Sequence, residues 1–145
     1  MYEKMLVPLD GSPKSVESAQ HALKLASDLN GTVTLLYVVN AIHPNLNTYG
    51  DRLGGQEQII RNHLQELGEE ILNDVYERLK DMGVPLDTKL VWGNPADIIC
   101  EEAKEAKYDL IVMGSRGLSQ IKSYLLGSVS SRVTRHAPCP VLIVR

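Results

Sequence analysis

Between Val112 and Val133 runs the stretch VMGSRGLSQIKSYLLGSVSSRV. An apolar segment ends at Met113, Gly114 and Gly117 follow, and after nine intervening residues comes Gly127 with Ser128 directly behind it. Glycine loses more backbone freedom on folding than any other residue, so three at this spacing need a reason. Gly114 and Gly117 remove Cβ atoms where a main chain can approach a ligand closely. Gly127-Ser128 opens a helix whose first amides lack intrahelical acceptors and carry about half a positive charge. Arg116, Lys122 and Arg132 stand in sequence where they can add cationic donors, each charged hydrogen bond contributing about 1.5–3 kcal/mol. Arg116 also reads as a partner for a surface carboxylate, and Lys122 and Arg132 read more readily as solvated residues. The combination is an anion cradle, and a phosphate-rich ligand is its natural guest. The stretch is neither a Walker A loop, which needs Gly-Lys before Ser or Thr, nor a GxGxxG fingerprint.

Other chemistry is sparse. His21, His43, His63 and His136 show no metal-ligand spacing, and HAPCP offers only two ligand atoms, from His136 and Cys139. Ser128 has no evident base partner, and no Cys/His pairing stands out, so no catalytic residue is assigned. Asp10, in VPLDGS, reads either as a ligand-facing carboxylate or as a turn residue and cap for the helix beginning near Pro13.

The elements that must position these residues alternate. Tyr2 to Leu9 reads as a strand, and Ser12-Pro13 starts a helix with Ser at the cap and Pro in the first turn. Val16, Ala19, Ala22, Leu23, Ala26 and Leu29 recur at helical spacing until Asn30-Gly31 stops them. Thr32 to Val39 is a β-branched strand. Asn40 to Gly55 has no periodicity and is expected to be a loop. A long helix is predicted from Gln56 to Met82, with Ile59, Ile60, His63, Leu64, Leu67, Ile71, Leu72, Val75 and Leu79 as its buried stripe. Leu86 to Trp92 is the third strand, Asn94-Pro95 caps a helix to Ala106, and Tyr108 to Gly114 is the fourth strand. Ser128 to His136 forms the last helix and Pro140 to Arg145 the last strand. Strand and helix alternating with short links imply parallel strands, right-handed crossovers and helices on both faces, a doubly wound α/β sheet of five strands. In such sheets ligands bind beyond the carboxyl ends of the strands, where the winding reverses.

Length and composition bound the rest. The 145 residues suit one domain with one real core. A formal net charge of -3 argues against nucleic acid or anionic membrane as the main partner, since both reward clustered Lys and Arg. No apolar run approaches the roughly 20 residues of a membrane span. The start MYEKMLVPLDGS lacks a secretion signal, and two cysteines without a CxxC pair suit a reducing compartment, so a cytoplasmic location is expected.

Taken with its setting, Gly114-x2-Gly117-x9-Gly127-Ser128, following DLIVMG and preceding PCPVLIVR, resembles the nucleotide-binding signature of the universal stress protein family. KMLVPLDGSPKSVESAQHALKLA, TVTLLYVV and GNPADIICEEAKEAKYDLIVMGSRG resemble that family's first strand and helix, second strand and third crossover, so the resemblance spans the chain. It implies a Rossmann-like fold and places the sequence with the ATP-binding, UspA-like subgroup. The implied adenine-nucleotide site comprises Pro8 and Asp10 beside the adenosine, with Val38 or Val39 against adenine. Met113, Gly114, Arg116 and Gly117 would border ribose and phosphates, and Gly127, Ser128, Val129 and Ser130 would hold the phosphates through amides and hydroxyls. A divalent ion, magnesium first, would come with the phosphates, with Asp10 the protein group placed to join it. Lys122 lies within the variable spacer and is a weaker carry-over.

Three functional readings follow. The first is a nucleotide-dependent regulatory switch. The second is a slow ATPase or phosphotransferase, which also needs a group to orient attacking water; no carboxylate or glutamine in the motif supplies one, so binding is favoured over turnover. The third is an interaction scaffold without ligand. The apolar run Val141–Val144 at a sheet edge would be an association hazard unless covered, so a homodimer through that strand is expected.

Overall fold

Ser12, Asn94 and Gly127 set where three of the helices begin. In the computed structural model, which describes residues 1–40, 55–116 and 125–145, Ser12 is extended and its hydroxyl accepts the Ser15 amide at 3.2 Å. Helix α1 (Pro13–Leu29) follows, with Pro in its first turn, and ends at Asn30 in the left-handed conformation. Asn94 does the same for α3 (Pro95–Glu105), accepting the Asp97 amide at 3.3 Å. Gly127 precedes α4 (Ser128–His136). The remaining helix, α2 (Gly55–Leu79), tightens into a short 3-10 turn, Lys80–Met82, and stops at Gly83 with φ 75°. Nearly all of the predicted 40–55 loop, and Gly117 and Lys122, lie outside the described residues.

The strands are β1 (Lys4–Leu9), β2 (Thr32–Val39), β3 (Leu86–Trp92), β4 (Leu110–Gly114) and β5 (Val141–Val144). They form one parallel sheet in the order β3-β2-β1-β4-β5. β1 and β4 each start two residues later than the sequence suggests. The cause lies between them: the Asp109 carboxylate accepts the amides of Glu3 and Lys4 at 2.8 and 3.0 Å, and the Tyr108 amide closes the end of α3 on Ala103.

The chain winds outward from β1 through β2 to β3, then returns to β4 and continues to β5. Helices α1 and α2 cover one face, packing Ala19, Leu23, Leu72 and Val75 on Val7, Leu35 and Val112. Helices α3 and α4 cover the other, with Ile99, Ala103 and Val133 on Leu6, Leu36 and Ile111. Adjacent residues of the central strands, such as Leu6 and Val7 or Leu35 and Leu36, are therefore fully buried on opposite faces. Each such side chain contributes about 1.5–3 kcal/mol. The doubly wound α/β architecture expected from the alternation is the one observed, with its reversal of winding between β1 and β4.

One expectation fails. Of the predicted buried stripe on α2, Leu72, Val75 and Leu79 are buried, whereas Ile59 is 68% exposed and Ile60, His63 and Leu67 are also exposed. Length explains it. Twenty-five helical residues run about 37 Å, while the eight residues of β2 reach only about 26 Å. The amino-terminal turns of α2 overhang the carboxyl edge of the sheet and find no strand beneath them among the described residues.

Candidate functional site

At that carboxyl edge, between β1 and β4, lies a cavity of about 450 Å³, within the range of small-molecule sites. β1 supplies Pro8 and Leu9 and its following turn Asp10; β4 supplies Met113 and Gly114, with Arg116 beyond; the mouth of α4 supplies Gly127, Ser128, Val129 and Ser130; β2 supplies Val38. The structure thus brings together most of the residues singled out in the sequence. Val39 is not among the lining residues: it is buried, and its carbonyl accepts the Gly93 amide at 2.9 Å. Arg132, read from sequence as a candidate donor but more readily as a solvated residue, pairs with Asp97 of α3 at 3.1 Å on the surface.

The two ends of the glycine stretch are tied to each other. The Gly127 amide donates to the Ser115 carbonyl at 2.7 Å, and the Ser130 hydroxyl donates to the Gly114 carbonyl at 2.8 Å. A Cβ on Gly127 would sit 3.3 Å from the Arg116 Cα, so the bare position lets the two backbone segments lie side by side. Gly114 serves a different neighbour: a Cβ there would be 2.7 Å from the Lys14 Cγ, because the stem of Lys14 crosses the end of β4. With the Gly127 amide and the Ser130 hydroxyl so engaged, the donors left at the mouth are the amides of Ser128, Val129 and Ser130, which have no intrahelical acceptor, and the Ser128 hydroxyl. Three unpaired amides at the positive end of a helix are able to take an anion.

Asp10 is a turn residue, with the helix cap falling to Ser12, and it stands at the cavity. One carboxylate oxygen accepts the Ser12 amide at 2.9 Å and shapes the turn, while the carboxylate also borders the cavity. The opposite wall is apolar, built from Pro8, Val38, Met113 and Ile99. The sequence reading missed Leu9, Ser15, Tyr37, Pro95 and Ile99. Pro95 and Ile99 carry a local signal, lying in the first two turns of a helix that leaves a strand at the same edge. Tyr37, one residue before Val38, carries none.

Electrostatics sort the titratable groups. Burial, and then the nearby Asp10 carboxylate, hold the Tyr37 phenol above its ordinary value, so it stays protonated at neutral pH. Burial likewise raises the thiols of Cys100 and Cys139, which keeps them protonated and poor nucleophiles. Among the described residues no group of three His, Cys, Asp or Glu is placed to hold a metal ion, and no helix is long and apolar enough to cross a membrane.

Comparison with known proteins agrees with this architecture. The family model for the universal stress protein family matches residues 1–145. A universal stress protein of Methanocaldococcus jannaschii is 38% identical over 145 residues, covering all of this chain and 83% of that protein. Among solved structures, hypothetical protein MJ0577 superposes with a TM-score of 0.85 at 28% identity, covering 99% of this chain and 96% of the other. A universal stress protein in complex with cAMP superposes with a TM-score of 0.74 at 28% identity, covering 99% and 97%. Fold, glycine stretch and whole-length similarity converge: the chain belongs to the universal stress protein family.

Proposed function

We propose that this protein is a single-domain, ATP-binding regulatory switch of the stress response, acting in the cytoplasm, with ADP or AMP as alternative occupants of the same cavity. One observation carries the reading: a cavity at the reversal of winding with an apolar wall on one side and the three amides of the α4 mouth on the other. A planar base suits the first and phosphate oxygens the second. The neighbour of like fold that holds cAMP supports an adenine nucleotide as the class of ligand. Asp10 is the one carboxylate on the described wall, and part of it is committed to the Ser12 amide. Magnesium would therefore be held chiefly by the phosphates, with Asp10 as the protein's contribution; it would neutralise phosphate charge.

Binding is favoured over turnover because hydrolysis needs a group that orients water at the terminal phosphate. No carboxylate or glutamine among the described lining residues stands at the α4 mouth. The test is incubation of purified protein with labelled ATP. Retention of ATP without ADP release is expected, and Gly114→Val, whose side chain meets the Lys14 stem, should abolish retention. Sustained ADP release would replace the switch by an enzyme. Absence of both retention and a thermal shift would leave the ligand-free scaffold.

The working form is a homodimer. The two sheet edges differ: β3 presents Asp87, Thr88 and Lys89 to solvent, charges that discourage pairing, whereas β5 is Val-Leu-Ile-Val with Leu142 exposed. Pairing β5 with its two-fold mate covers both unguarded edges at once.

A further inference from the structure

Tyr37 stands at the cavity for reasons set by three elements. In the sheet it is in register with Leu9 of β1 on one side and Leu90 of β3 on the other, a row covered by α2. Directly above it α2 carries Gly68, a buried glycine in the middle of a long helix, where it costs about 1 kcal/mol relative to alanine. The structure gives the reason. A Cβ on Gly68 would lie 2.7 and 2.8 Å from the Cδ1 and Cε1 atoms of the Tyr37 ring, and 3.0 Å from the Leu90 Cδ1. The helix is bare at this one position so that the ring can be clamped between α2 and the sheet. Tyr37 is among the residues lining the cavity, its phenol is close enough to Asp10 to feel that charge, and it has no hydrogen-bond partner among the described residues. A rigidly held, protonated hydroxyl near a carboxylate at the edge of the cavity, without a partner among the described residues, is an arrangement for recognising a neutral polar group.

We propose that Tyr37 is a specificity-determining residue of this site: its hydroxyl donates to one hydroxyl of the ribose diol while Asp10 accepts from the other, and Gly68 holds the ring in place. This inference rests on the adenine-nucleotide reading above. The sugar is the unit that must lie between the apolar base seat and the amides of α4. Its vicinal hydroxyls, each both donor and acceptor, match a pair of which one member only accepts and the other can donate.

The experiment compares the dissociation constants of ATP, 2′-deoxy-ATP and 3′-deoxy-ATP for the wild-type protein and Tyr37→Phe, by calorimetry. Phenylalanine keeps the clamped ring and removes only the hydroxyl. The expected result is a roughly three- to tenfold weaker affinity of the variant for ATP, with wild type and variant agreeing within about twofold for one of the two deoxy ligands. An equal loss for all three ligands would assign Tyr37 a packing role or a contact with the base and overturn the proposal. So would an unchanged affinity for ATP. Failure of the wild type to bind any of the three would instead remove the nucleotide reading itself, and this inference with it.

Discussion

Single residues at the cavity are notable for how many of their polar groups already have partners. Asp10 holds the Ser12 amide, Gly127 gives its amide to Ser115, and Ser130 gives its hydroxyl proton to Gly114. These bonds fix the described ends of the glycine stretch against each other and the turn after β1, which lowers the ordering cost for any ligand that binds there. Ser130→Ala removes the bond anchoring the first turn of α4 to the end of β4. The expected loss is about 1 kcal/mol of stability, read as a lower urea midpoint with unchanged slope, together with weaker ATP retention. Gly114 shows the limit of reading residues in order. Its spacing suggests room for a ligand, and the cavity does reach it, but its tightest neighbour is Lys14 at the far end of the chain. No local pattern announces that contact.

Among the elements, α2 is the one whose pattern misleads. Helical periodicity from Ile59 to Leu79 is genuine, and the helix forms over almost all of the expected range. Periodicity reports which face is apolar, though, and not which turns have a strand to lie on. Substitutions along the same stripe should therefore divide. Leu72→Ala, in the buried half, should cost about 2–5 kcal/mol, whereas Ile59→Gln, on the overhang, should stay within about 0.5 kcal/mol of wild type. Chemical denaturation of the two variants side by side checks this. A large loss for Ile59→Gln would mean that another surface covers the overhang. The other helices behaved as read, because Ser12-Pro13, Asn30, Asn94-Pro95 and Gly127-Ser128 act within one turn of their own position.

At the scale of the whole molecule, the edge strands decide how the protein associates. Leu142→Lys places a charge on the exposed side of β5, and if that edge pairs with its mate the like charges meet across the two-fold axis. Sedimentation of the wild type should give a dimer, and the variant should dissociate at the same concentration; a wild type that sediments as a monomer at every concentration would refute the pairing. The sequence by itself determined the alternation of strands and helices, hence the parallel α/β class, the points where most elements start and stop, the glycine stretch and the family. Those features are local or periodic, and an apolar period or a capping side chain acts on its own few residues. Tertiary structure alone decided that β5 and β3 are the edges, that Lys14 lies across Gly114, that Tyr37 is clamped beneath Gly68, and that much of the α2 stripe stays exposed. Each of these is a meeting between residues distant in the chain, fixed by sheet order and relative element length.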